Sequence, residues 1–225
     1  MDMSSKIFGK FFDLMFPAEC IFCGRPGSLL CGDCRQLFDI ISIHKQYRSK
    51  KLRDLYAAAS YQNRFVKSAI AKFKYEPFLQ DLKIPLAETI CNHLDLIENK
   101  PDFGTYSLAA VPISKKRMRW RGYNQAEELA KEISATKNIP LLRGLLEKTG
   151  NSSVPQATLS AAQRRESVKG TIKCRKPETA AGIDILLVDD VVATGATLEE
   201  CADVLLKNGA KTVIGLAVAR SEADS

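Results

Sequence analysis

The sequence predicts an α/β fold: a parallel sheet flanked by helices on both faces, with a small N-terminal four-cysteine zinc finger ahead of it. Three observations carry this expectation. Apolar runs of strand length without polar alternation, "LYAAASY" (55–61), "YSLAAVPI" (106–113), "IDILLVDD" (183–190) and "KTVIGLAVA" (211–219), suit strands buried on both faces. Amphipathic helical patterns separate them, the alternation that builds parallel sheets. Two C-x-x-C pairs stand near the start. The division is residues 1–45 for an apolar helix and the finger, and 46–225 for the sheet domain.

The 225 residues are 45% hydrophobic and 26% charged, an ordinary globular balance. No apolar run reaches the roughly 18 residues of a membrane span. The net charge of +7 favours anionic partners, either phosphorylated metabolites or nucleic acid. Seven cysteines without a signal peptide point to a reducing compartment and a cytoplasmic location.

In chain order, Ile7, Phe8, Phe11, Phe12, Met15 and Phe16 fall largely on one helical face, a helix docked on its own domain or on a partner. "CIFCGRPGSLLCGDC" then gives Cys20, Cys23, Cys31 and Cys34. Each C-x-x-C knuckle turns two sulfurs toward one point, and two knuckles supply the four thiolates of a structural zinc site. Gly24 and Gly32 ease the tight turns. Cys91, Cys174 and Cys201 are isolated and read as packed side chains. The basic stretch 44–54 reads as a linker.

"NRFVKSAIAKFKY" (63–75) has helical spacing, with Phe65, Ala69, Ile70 and Phe73 on one side, and Pro77 ends it. A second helix carries Leu86, Ile90, Leu94 and Ile97. A third covers 124–137, with Asn124 as N-cap and Glu127 three residues on. "TLEECADVLLKNGA" is a fourth, with Leu198, Ala202 and Leu205 inward and Gly209 as terminator.

The stretch "ILLVDDVVATGATLEEC" (185–201) carries the functional signal. Ligands of such sheets bind at the carboxyl ends of strands. Asp189 and Asp190 lie at such an end, where adjacent carboxylates accept hydrogen bonds from a vicinal diol and offset the charge of Mg²⁺. Strand neighbours point to opposite faces, so both acids serve one ligand only if the chain turns there. Ala193, Thr194, Gly195, Ala196 and Thr197 form a small-residue loop opening onto a helix N-terminus, a cradle for phosphate. Thr197 and Glu200 fit a capping box. A diol acceptor beside a phosphate cradle describes a ribose 5-phosphate site.

Lys115, Lys116, Arg117, Arg119 and Arg121 follow the second strand in a basic loop suited to pyrophosphate or, with Trp120 and Tyr123 interleaved, to single-stranded nucleic acid. The polar segment 151–172 has the character of a lid or a surface loop, helical from about Ser160 with Gln163 completing a cap.

Residues 185–198 resemble the phosphoribosyl-pyrophosphate (PRPP) motif of type I phosphoribosyltransferases. The four-cysteine finger, Arg117 to Gln125, then Gln156, Leu159 and Arg164, the Asp189–Thr197 motif and Arg220 closing "LAVAR" together resemble the ComF (ComFC) family. This likeness spans nearly the whole chain and implies a type I phosphoribosyltransferase-like sheet. It also implies ribose hydroxyls at Asp189 and Asp190, the 5-phosphate at residues 193–197, and lid roles for Gln156 and Arg164. Two departures stand out: Ser167 where the family commonly has Asn, and Glu76-Pro77 in place of a glycine-containing turn, beside a Lys74 whose phosphate contact is left open.

The resemblance implies a PRPP-binding competence protein, handling incoming single-stranded DNA beside competence or recombination proteins. The alternative is an active phosphoribosyltransferase using Mg²⁺ and an unidentified amine or base acceptor. A third reading is an adaptor docking through its apolar N-terminal helix. No residue identifies a general base, and His44 and His93 fall outside the proposed site.

Overall fold

The structure is a computed structural model describing residues 18–47, 49–149 and 161–221. The expected N-terminal apolar helix lies outside the described residues. A short helix α1 (Gly32–Gln36) leads to β1 (Asp54–Ser60), α2 (Arg64–Lys74), α3 (Lys83–Leu96) and β2 (Ser107–Ala110). After these come α4 (Lys115–Arg121), α5 (Gln125–Lys137), β3 (Leu146–Lys148), α6 (Ala161–Val168), β4 (Ile172–Cys174) and α7 (Pro177–Ala180). The chain closes with β5 (Asp184–Val192), α8 (Ala196–Lys207) and β6 (Thr212–Arg220).

Strands β1, β6, β5 and β2 form one all-parallel sheet in that order. The uninterrupted apolar runs are explained by burial on both faces. Leu186, Val188, Ile214, Leu216 and Val218 pack with Phe73 of α2, Leu86 and Ile90 of α3 and Leu129 of α5. Their neighbours Ile185, Leu187, Val213 and Ala217 pack on the other face with Leu198, Cys201, Ala202 and Leu205 of α8. Gly215 lies on that second face, where a Cβ would meet Leu55 Cδ1 at 2.7 Å and Leu198 Cδ1 at 3.3 Å, so its absence lets α8 approach the sheet.

The stretch expected as a linker is fixed to the sheet. His44 Nε2 lies 2.9 Å from Asp54 Oδ2, the Tyr47 N–H donates to Asp54 Oδ1 at 2.9 Å, and Leu52 is buried. A basic, polar composition concealed this, because the anchoring carboxylate belongs to β1. Strands β3 and β4 form a short antiparallel pair absent from the sequence expectation, and β4 packs on α8.

His93 of α3 is buried; its Nδ1 lies 2.6 Å from the Ile41 carbonyl, while Nε2 has no partner among the described residues. Burial lowers its pKa, with the charge of His44 adding to the effect and the Ile41 hydrogen bond opposing it. The unfolded chain therefore binds the proton more readily, and stability rises with pH. The contribution is intact above the ordinary histidine value of 6.5 and is lost as pH falls through the lower folded value. Replacing His93 with Gln should flatten this limb of a melting-temperature profile between neutral and mildly acidic pH.

Candidate functional site

Strand β2 pairs with β5 only as far as Val188, and Pro112 follows. Beyond it β5 runs on to Val192, leaving an open strand edge at the carboxyl end of the sheet. A cavity of about 900 Å³ forms there, lined by Asp189, Asp190, the loop Ala193–Thr197, residues 111–114, Arg121, Asn124 and Gln125 among others. No turn is needed to bring the two acids to one chamber, since both line this cavity. Instead they flank the open edge of one continuous strand, Asp190 on the α2 face and Asp189 on the α8 face.

Asp190 is 5% exposed and pairs with Lys74 Nζ at 2.7 Å. Burial works against the Lys74 ammonium, yet the charges of Asp190 and Asp189 raise its pKa overall. Asp189 is half-buried and its carboxyl is raised well above the usual range, by burial first and then by the Asp190 charge. The Asp190 N–H, on the edge that β2 vacates, donates to Asp189 Oδ1 at 2.8 Å, and the Val191 N–H donates to Asp190 Oδ1 at 2.6 Å. Each carboxylate thus has one oxygen turned back to the strand, which fixes its orientation.

The loop 193–197 differs from the capping-box expectation. Gly195, at φ +76, is the N-cap of α8 and supplies no side-chain cap, so the first-turn N–H groups depend on the loop and on whatever enters the cavity. Glu200 instead accepts from the Gly170 N–H at 2.7 Å, fastening the turn before β4. Tyr47 closes over the loop: a Cβ on Gly195 would meet its Oη at 2.8 Å, and that hydroxyl donates to Glu199 Oε1 at 2.8 Å.

The basic segment is a helix rather than a loop. Ser114 caps it by accepting from the Arg117 N–H, and Gly122, at φ +84, ends it. Helical spacing places Lys116, Arg117, Trp120 and Arg121 on the cavity, whereas Lys115 and Arg119 are exposed and do not line it. Lys148 of β3 also lines the cavity. Burial, then the Arg117 charge, lower its pKa. Burial lowers that of Arg121 as well. Five cations (Lys74, Lys116, Arg117, Arg121 and Lys148) therefore face two carboxylates across one cavity, a balance suited to a polyanion.

The phosphoribosyl transferase domain family matches residues 120–224. Competence protein ComFC of Bacillus subtilis (strain 168) is 29% identical over 192 residues, covering 84% of this chain and 72% of that protein. The chain is thus similar to ComF-type proteins over most of its length. Competence protein F of Haemophilus influenzae is 31% identical over 116 residues, 51% of this chain and 50% of that protein. DNA utilization protein YhgH of Escherichia coli O157:H7 is 34% identical over 106 residues, 47% of this chain and 45% of that protein. The matches thus span about half the length of these last two relatives.

The segment Arg117–Gln125 builds most of α4 and the start of α5. Asn124 ties the two together: its side chain accepts from the Ala126 N–H, and its Nδ2 donates to the Val111 carbonyl at the end of β2. Gln156 lies outside the described residues, and Arg164 falls in α6, its side chain undescribed. Arg220 ends β6 with its guanidinium 5.0 Å from the Tyr47 ring centroid and does not line the cavity. Neither His44 nor His93 lines it. Lys74, left open as a phosphate contact, lines the cavity paired with Asp190, whereas Lys148 arrives from a distant element without a local motif, which hid it in the sequence.

The four cysteine sulfurs lie within 4.8 Å of one another, and Cys23 and Cys31 approach to 3.7 Å. Four thiolates at about 2.3 Å from a tetrahedral zinc would be about 3.8 Å apart, so the cluster fits that ion. Burial opposes ionisation of Cys20, but hydrogen bonds from the Cys31, Cys23 and Phe22 backbone bring its pKa down to about 6. The finger packs against the main sheet's core: Cys20, Cys31, Cys34 and Phe38 belong to the same apolar cluster as α2 and α3. Phe22 meets Phe65 edge to face, Asn63 Nδ2 donates to the Leu37 carbonyl, and Arg35 pairs with Glu88.

Proposed function

We propose that this chain binds PRPP together with Mg²⁺ and acts in natural transformation, handling incoming single-stranded DNA in the cytoplasm. The observation that carries the PRPP reading is the single cavity joining the Asp189–Asp190 edge to the uncapped start of α8. In this reading Asp189 and Asp190 accept from the ribose hydroxyls, and the N–H groups of 193–197, with the Thr194 and Thr197 hydroxyls, hold the 5-phosphate. Lys116, Arg117, Arg121 and Lys148 face the pyrophosphate. Bound Mg²⁺ would neutralise diphosphate charge, for which the two carboxylates are suitable partners. A zinc ion at Cys20, Cys23, Cys31 and Cys34 keeps the finger folded.

Support for the DNA role comes from the relatives, two named as competence proteins and one for DNA utilization. The exposed outer side of α4, carrying Lys115 and Arg119, adds to it. Among the described residues no helix is long and apolar enough to cross a membrane.

PRPP with Mg²⁺ is expected to raise the melting temperature of the wild-type protein. At a hundredfold excess over Kd the linkage is about 2.7 kcal/mol, which for a chain of this size is roughly 5–10 °C. Ribose 5-phosphate should give a smaller rise, and inorganic phosphate the smallest. Scanning calorimetry checks the order.

A further inference from the structure

The loop 193–197 has little within it to fix its own shape. Gly195 adopts the left-handed φ of +76, and α8 starts from it with no side-chain cap. Inside the loop the Ala196 N–H donates to Thr194 Oγ1 at 3.4 Å, long for a hydrogen bond. Backbone N–H groups hold a phosphate only when they converge on one point, so the loop needs a support from outside itself.

Tyr47 provides that support from behind. It does not line the cavity, so it leaves the mouth of the loop open. Its hydroxyl abuts Gly195, where a Cβ would lie 2.8 Å from Oη, and donates to Glu199 Oε1 at 2.8 Å. One atom thereby braces the N-cap and ties down the first turn of α8. On its other side the Arg220 guanidinium lies 5.0 Å from the ring centroid, within cation–π range. The next residue, Ser221, donates its N–H to the Val192 carbonyl at 2.8 Å, just ahead of the loop. Tyr47 is itself held firmly. Its N–H donates to Asp54 Oδ1, His44 meets the other oxygen of that carboxylate, and the Leu52 N–H closes a turn on Ser49 Oγ at 2.9 Å. A phenyl ring would fill the same space, so the hydroxyl is what joins the strap to the helix. Residue 47 also lies outside the segment 120–224 that matches the phosphoribosyl transferase domain family, so the brace comes from elsewhere in the chain.

We propose that Tyr47 is a positioning residue for the phosphate cradle, acting through Gly195 and Glu199. The strap between the finger and the sheet thereby sets how tightly residues 193–197 hold a sugar 5-phosphate. The proposal rests on the ribose-phosphate reading of that loop and adds the group that shapes it.

The test uses the zinc-loaded 225-residue chain and two probes, ribose 5-phosphate and inorganic pyrophosphate with Mg²⁺, titrated calorimetrically into wild type, Tyr47→Phe and Tyr47→Leu. Tyr47→Phe should weaken ribose 5-phosphate about fivefold, the worth of one hydrogen bond, and Tyr47→Leu should weaken it further. Pyrophosphate, held by the cations across the cavity, should bind as before in both. Glu199→Ala should reproduce the loss, and Tyr47→Phe should add little on top of it, because the two act as one unit. Amide hydrogen exchange on the ligand-free protein gives a second readout: exchange at 195–199 should quicken in Tyr47→Phe, while that of β5 and β6 stays unchanged. Equal losses of both probes would reduce Tyr47 to a prop of the whole fold. Unchanged ribose 5-phosphate affinity in Tyr47→Phe, or additive losses with Glu199→Ala, would also overturn the proposal. If the wild type binds no ribose 5-phosphate while exchange at 195–199 still responds to Tyr47→Phe, the brace stands and the ribose-phosphate reading falls.

Discussion

Replacing Cys34 with Ser is expected to lower the melting temperature by about 10 °C, and a strong chelator should bring the wild type to a similar state. Cys34 is 7% exposed, and its sulfur lies among three others within 4.8 Å. Serine removes one thiolate from a four-coordinate set, and metal affinity in such sites is itself folding free energy. The damage should not stay local. Cys20, Cys31, Cys34, Leu30 and Phe38 share an apolar cluster with Val66, Phe73 and Leu86, so loosening the finger uncovers the α2–α3 layer of the sheet. Metal content and calorimetry on the same samples check both parts. An unchanged melting temperature after complete chelation would remove the structural role from the cluster.

Asp190→Asn is expected to abolish the PRPP-dependent rise altogether while also lowering the baseline. Asparagine keeps an acceptor for the Val191 N–H but loses the charge that pairs with Lys74 at 2.7 Å. An ammonium left in a nearly buried position without its partner is costly, about 3–5 kcal/mol for comparable buried pairs. Adding Lys74→Met in the same chain should recover part of the baseline, since both charges are then gone. It should not recover the response to PRPP. That separation tells a lost ligand contact from a merely destabilised fold. A double variant that regains the full ligand response would show that Asp190 serves the fold alone.

The four parallel strands were legible because burial on both faces leaves apolar runs with no alternation, and the helices because each carries a stripe facing one layer. Helix α4 was not legible for the opposite reason. It buries none of its residues, so its sequence carries no apolar period; only Ser114 and Gly122 at its ends mark it. Strands β3 and β4 are three residues each, too short for any periodicity to register. In the candidate site, residues 189–197 were readable as one local motif. Lys148 enters the cavity through tertiary packing, and no local spacing marks it. The condition that the chain turn at the acids and the Thr197 capping box both assumed that local chemistry decides geometry. Instead the early end of β2 opens the edge of β5, and the left-handed Gly195 starts α8 without a side-chain cap.

The most direct test is a calorimetric titration of PRPP into the 225-residue chain, with Mg²⁺ present and with Mg²⁺ left out of the buffer. One saturable site per chain, strengthened by Mg²⁺ and lost in Asp190→Asn, is the result predicted. An absence of binding in the wild type, or binding that Asp190→Asn leaves untouched, would contradict it.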